Sequence, residues 1–250
     1  MQKTEAKTTW SHPPDILELQ PHQVDIWRIS LDFQPATVKP LDSTLSADES
    51  QRAARFHFQK DRERYIIAHA GLRDILSRYL HCGPGQLSFF ANDHGKPALN
   101  GHQLEFNLSH SGGFALIALT RECKVGVDVE YIRSEMEFES IARRFFSPNE
   151  VSELMALHPE QRKLAFFRCW TRKEAYIKAQ GLGLSLPLES FDVSLTPDEP
   201  VILRATRPDP QEAARWTLSS LEVDPGYTAA AAVEEKDVDF RLWDWNSVIQ

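Results

Sequence analysis

Between Asp61 and Leu80 apolar residues recur at three- and four-residue steps: Tyr65, Ala68, Leu72, Ile75, Leu76 and Tyr79. That spacing predicts a helix with one buried face. His81-Cys82-Gly83-Pro84-Gly85 stops it, because Gly tolerates the left-handed turn that ends a helix and Pro cannot continue one. Upstream, Gln23 to Leu31 alternates loosely through Val24, Ile26, Trp27 and Ile29, which predicts a strand. Leu41 to Asp48 is turn-like, and Ser46 is placed to cap a helix that begins near Asp48. Met1 to Asp15 reads as a frayed tail.

Further along, Leu104 to Leu108 and Phe114 to Thr120 read as strands, with Ser109 to Gly113 as their tight connection. Val125 to Glu130 is the next strand. Phe138 to Phe146 and Glu160 to Gln180 read as helices, the second ended by Gly181 and Gly183. Trp216 to Val223 and Tyr227 to Val233 form a hairpin around Asp224-Pro225-Gly226. A long helix followed by a Gly-containing hairpin therefore occurs twice. The pattern predicts an α+β chain of two similar halves, 1–122 and 123–250, joined near Arg121 to Lys124.

Composition narrows this only a little. The 250 residues are 42% hydrophobic and 26% charged, ordinary for a globular chain with a real core. A formal net charge of -8 argues against duplex nucleic acid as a partner, since such binders more often show a basic face. It leaves room for a local basic pocket. Cys82, Cys123 and Cys169 make no CxxC pair or metal pattern, so free thiols in a reducing compartment are expected. With no apolar leader and no run long enough to span a bilayer, the expectation is a cytoplasmic protein without a membrane partner.

Chemistry enters at two stretches. In Gly126-Val127-Asp128-Val129-Glu130 side chains alternate, so Asp128 and Glu130 share the face opposite Val125, Val127 and Val129. Gly126 lies on the carboxylate face and would leave space for a ligand. A strand with a merely polar outer face has the same pattern. In Trp170-Thr171-Arg172-Lys173-Glu174-Ala175-Tyr176-Ile177-Lys178, Trp170, Glu174 and Lys178 form one helical stripe. A surface ion pair at that spacing contributes only about 0.3–0.5 kcal/mol. Phe166, Phe167 and Ile177 border the stripe, which favours a cleft wall over open water. If helix and strand meet, three carboxylates converge, and they repel unless a cation or protons compensate. Mg²⁺ takes a few such oxygens together with waters and phosphate oxygens.

Two weaker signals accompany these. The small residues of Ser109-His110-Ser111-Gly112-Gly113 could turn backbone N–H groups towards phosphate, with His110 as a further donor, although a histidine in a turn is more often structural. Arg52, Arg55, Arg62 and Arg64 cluster at the first long helix, and Lys96 follows Gly95. Arginine's fork suits a phosphate monoester, whereas Arg55 and Arg62 equally fit a solvated helix face. No GxSxG elbow or Walker A loop occurs.

In this order, Gly95-Lys96-Pro97, Phe106 to Ser111, Gly126 to Glu130, Trp170 to Lys178, Gly181 to Leu188 and Val223 to Tyr227 closely resemble the Sfp-type 4′-phosphopantetheinyl transferases. The resemblance covers roughly Ser46 to Val233. It implies two α+β subdomains related by a pseudo-twofold, with coenzyme A in the cleft between them. It also implies transfer of the phosphopantetheine arm to a serine of an apo acyl or peptidyl carrier protein, releasing 3′,5′-ADP. By position it implies that Asp128, Glu130 and Glu174 hold Mg²⁺, with Mn²⁺ as a substitute. Glu174 would serve as base, and Lys178 would neutralise or protonate the leaving phosphate. His110 and Ser109 would contact phosphates, Arg64 and Arg52 the 3′-phosphate, and Gly95, Lys96 and Pro97 the nucleotide end. Glu49 departs from relatives that carry lysine there. Two fused halves imply a monomer, and Arg143, Arg144, Phe145 and Phe146 are a candidate carrier surface or an ordinary amphipathic helix. The competing readings are a metal-dependent phosphohydrolase acting on a nucleotide or coenzyme A, and a non-catalytic binding protein.

Overall fold

The computed structural model describes residues 9–32, 40–101, 104–207 and 209–247. In chain order the first half contains β1 (Gln23–Ser30), α1 (Ala47–Ala53), α2 (Gln59–Leu80), β2 (Phe89–Ala91), β3 (Pro97–Leu99), β4 (Leu104–Ser111) and β5 (Phe114–Arg121). The second contains β6 (Val125–Tyr131), α3 (Phe138–Phe145), α4 (Pro148–Ala156), α5 (Pro159–Gln180), β7 (Phe191–Val193), β8 (Leu203–Thr206), β9 (Thr217–Leu221), β10 (Tyr227–Val233) and β11 (Asp239–Asp244).

The repeat is topological. Each half runs strand, short helix, 22-residue helix, small hairpin, large hairpin. In each, the first strand pairs with the last, giving β1-β5-β4 and β6-β10-β9. Among the described residues the second half has two short helices, α3 and α4, where the first has α1 and helical residues at 40–42. The chain thus has the α+β fold of two similar subdomains that the sequence pattern predicts. The small hairpins β2-β3 and β7-β8 and helix α4 are absent from the sequence reading. Three-residue strands are too short to show a period, and α4 is announced only by Ser147 and Pro148.

Period-two alternation explains the layering. In β1, Trp27 and Ile29 face α2, while Val24 and Ile26 face the other sheet. In β10, Ala230 and Ala232 face α5, while Ala229, Ala231 and Val233 meet Val24 and Ile26 in a shared core. The order is helix, sheet, sheet, helix, and both sheets are buried on two faces. That is why β1 alternates only loosely.

Four expectations are corrected. Ser109, His110 and Ser111 belong to β4, paired with Leu116, Ala115 and Phe114, so the tight turn is Gly112-Gly113 alone. The 123–250 half does not stand apart, because β11 leaves it and pairs in parallel with β1 in the first sheet. Within Met1–Asp15, residues 1–8 lie outside the described residues, but Ser11 bonds Leu242 and Asp244 of β11, and the Trp10 ring lies under Arg28. Finally, the space beside Gly126 is filled by protein. A Cβ there would lie 2.1 Å from the Ala175 carbonyl and 2.4 Å from the Ala179 nitrogen, so the glycine lets α5 seat directly on β6.

Candidate active site

α5 is buried almost all round, and its half-open positions towards the C-terminal end include Trp170, Glu174 and Lys178. These three line one wall of a cleft of about 740 Å³. His94, Gly95, Lys96 and Pro97 of the first half line the other side. The helical stripe read from the sequence is therefore a cleft wall formed between the halves.

β6 supplies the acidic edge. It borders the second sheet, so alternate backbone N–H groups lack a strand partner and need another acceptor. Side chains from β4 provide it. Asn107 Oδ1 accepts from Val127 N at 2.9 Å, Ser109 Oγ from Val129 N at 3.4 Å, and Ser111 Oγ from Tyr131 N at 3.1 Å. The same hydroxyls then hold the carboxylates: Ser109 donates to Asp128 Oδ1 at 3.0 Å and Ser111 to Glu130 Oε2 at 2.9 Å. One strand thus joins the halves and aims the acids. Asn107, Ser109 and Ser111 were legible as a polar period-two face of β4, but reading Ser109 onward as a loop hid it.

Asp128 is 3% exposed. Lys178 Nζ lies 2.5 Å from its Oδ1 and 2.9 Å from Ser109 Oγ, whereas Asp128 Oδ2 is buried with no hydrogen-bond partner. Burial pushes the pKa of Asp128 up, against the pull of Lys178. Burial and the neighbouring Asp128 charge raise Glu130. Burial, Asp128 and Glu130 raise Glu174. The three acids feel one another's charge and lack sufficient positive charge between them. Among the described residues no group of three His, Cys, Asp or Glu is drawn together as a formed metal cage.

Other expected site residues divide. His110 sits on the opposite face of β4 from Ser109, and its pKa is lowered by desolvation and by His69 and Lys178 nearby. Arg52 is exposed and has no carboxylate within ion-pair distance among the described residues. Arg64 binds both oxygens of Asp32, at 2.9 and 3.1 Å. Ser109 is occupied by Asp128 and Lys178, and the Lys96 ammonium is held by the Val125 and Ala179 carbonyls at 3.1 and 3.2 Å. Ser109 Oγ is thus engaged within the acidic cluster, whereas two carbonyls take two of the three N–H donors of Lys96, which lines the cleft. Glu49 is committed as well: it accepts from Ser46 N in a capping box and from Arg73 Nε at 2.7 Å, and meets His69. Burial works against its charge, but these hydrogen bonds hold its pKa down to about 2. Lys173, inside the same sequence stretch as Glu174, is fully buried and paired with Glu150 at 2.8 Å. Its role is to fix α5 on α4.

A family model described as the 4′-phosphopantetheinyl transferase superfamily matches residues 124–232, and one described as 4′-phosphopantetheinyl transferase, N-terminal, matches residues 34–122. The 4′-phosphopantetheinyl transferase HetI of Nostoc sp. is 42% identical over 241 residues, covering 95% of this chain and 98% of that protein. Sfp of Bacillus subtilis is 31% identical over 196 residues, covering 78% and 84%. The 4′-phosphopantetheinyl transferase gsp of Aneurinibacillus migulanus is 32% identical over 170 residues, covering 68% and 70%.

Proposed function

The chain belongs to the 4′-phosphopantetheinyl transferase superfamily, and on that premise we propose how its cleft works. It transfers phosphopantetheine from coenzyme A to carrier proteins. In our reading Asp128, Glu130 and Glu174 hold a divalent cation, Mg²⁺ or in its place Mn²⁺. The observation that carries this is the unpartnered Oδ2 of Asp128, buried beside two further acids whose pKa values are all raised. A buried carboxylate oxygen without a donor and with excess negative charge around it fits a hard cation. Bound there, the ion would offset charge on the pyrophosphate as its bond breaks.

The chain's own residues take the remaining roles. Glu174, at the cleft wall, accepts the proton of the carrier serine, directly or through water. Lys178, one turn on, neutralises the departing phosphate. His110 and Arg52 meet the phosphates at the first-half side, while Ser109 acts through Asp128 and Lys178. Arg64 reaches the 3′-phosphate only if it leaves Asp32. Gly95 and Pro97 face the nucleotide end. The nucleophile comes from the partner, so the chain needs no activated serine or cysteine of its own. Arg143, Arg144 and Phe145 are exposed and form the proposed carrier surface, with Arg144 and Phe145 lining the cleft; Phe146, expected with them, is 3% exposed and belongs to the core. No helix among the described residues is long and apolar enough to cross a membrane. We place the protein in the cytoplasm as a monomer.

The test has two arms. Incubation with coenzyme A, Mg²⁺ and a panel of apo carriers should add the arm's mass to at least one. Mg²⁺ should also raise the melting temperature of the protein alone, and Asp128→Asn should abolish that rise. No mass gain on any carrier sinks the transfer reading; an undiminished rise in Asp128→Asn sinks the cation assignment.

A further inference from the structure

The turn between β2 and β3 crosses from the first half to the C-terminal end of α5, in the second. A helix ends with unpaired carbonyls and the negative pole of its dipole, which its own residues usually cap. Here Gly181 takes the left-handed position, φ 69°, and other donors come from across the cleft. Lys96 Nζ donates to the Ala179 carbonyl at 3.2 Å and to the Val125 carbonyl at 3.1 Å, where β6 begins. Asn92 Nδ2 donates to the Gly181 carbonyl at 2.9 Å. The Asn92 side-chain oxygen closes the turn itself, accepting from His94 N at 3.0 Å and Lys96 N at 2.9 Å. The fit is close: a Cβ on Gly181 would come 3.1 Å from Asn92 Nδ2 and 3.2 Å from Lys96 Cδ.

We infer that this turn is a clasp, and that Lys96 and Asn92 are positioning residues which set α5 and β6 against the first half. The half-buried ammonium has carbonyl partners and no carboxylate within ion-pair distance among the described residues, so burial lowers its pKa. A cation placed at that expense holds the two elements that carry Asp128, Glu130 and Glu174. Lys178 is the residue before Ala179, so movement of the helix end moves Lys178 directly. Asn92 does not line the cleft, which separates clasping from ligand contact. The inference adds to the proposed chemistry and rests on that reading only for its kinetic consequence.

The experiment compares Lys96→Met with Asn92→Asp. The second keeps the oxygen that closes the turn but sets an acceptor against the Gly181 carbonyl. Amide hydrogen exchange over residues 177–185, measured without coenzyme A or carrier, is expected to quicken about tenfold in both, as loss of a buried bond predicts. Both are expected to lower kcat severalfold at saturating coenzyme A, and the double variant to be no slower than the worse single one. Unchanged exchange in Asn92→Asp, or a raised KM for coenzyme A in Lys96→Met with normal kcat, would overturn the clasp. Because exchange is read without substrates, its outcome is independent of whether the transfer reading holds.

Discussion

Lys178 Nζ lies 2.5 Å from one oxygen of Asp128, while the other oxygen of that buried carboxylate has no donor. A single lysine therefore answers half of a site built from three acids. Burial and mutual repulsion raise the pKa of all three acids, against the pull of Lys178.

Removing Lys178 alone should strand Asp128. Losing one partner of a buried pair costs about 3–5 kcal/mol, and less where one end reaches solvent. The Lys178 side chain is 27% exposed. Lys178→Met is therefore expected to destabilise the metal-free protein by about 2 kcal/mol. Adding Asp128→Asn should restore most of that loss. Urea unfolding in the presence of a chelator checks it; strictly additive losses would reject the coupling.

The raised pKa of Glu174 fixes the sign of a pH effect. A carboxyl whose folded pKa lies above its unfolded value favours the folded state at low pH, and that contribution is lost as pH rises through the folded value. Metal-free Glu174→Gln should therefore become progressively more stable than the parent as pH rises from 4.5 towards neutrality. It should transfer no phosphopantetheine. A stability difference independent of pH would contradict the burial and repulsion assigned to Glu174.

Glu49 behaves in the opposite way. Its pKa is held near 2, so its contribution is present above the ordinary value of 4.5 and is lost as pH falls towards 2. The Glu49 side chain is 13% exposed and Arg73 only 3%. Glu49→Gln should lower stability by about 2–3 kcal/mol at pH 7 and by little near pH 2. Unfolding at the two pH values measures this.

Gly126→Ala should separate β6 from α5. Its Cβ would sit 2.1 Å from a backbone carbonyl that cannot rotate away. Overpacking of this kind costs about 1–3 kcal/mol. Transfer should fall further than stability does, because Asp128 and Glu174 lie on the two elements pushed apart. Kinetics at a temperature where the variant stays folded would reveal it; normal kcat would refute it.

Charge reversal at Arg143 and Arg144 tests the carrier surface. The double variant should raise the carrier KM severalfold, with a salt-dependent effect, and leave the coenzyme A KM unchanged. An unchanged carrier KM would remove this surface from the docking path.

The sequence by itself determined the long helices, the large hairpins, the repeat and the Trp170, Glu174, Lys178 stripe. Each is written in a local period or turn that needs no partner to be read. Asp128 and Glu130 were legible as sharing a face, but not as buried, because alternation says which residues lie together and not what covers them. Tertiary structure decided the rest. The return of β11 to β1, the use of Gly126 as a seat for α5, the pairing of Glu49 with Arg73 and the capping of α5 by Lys96 all join residues remote in sequence. Such contacts follow from close packing of layers and from the need of every buried backbone and charged group for a partner. No local pattern carries that information.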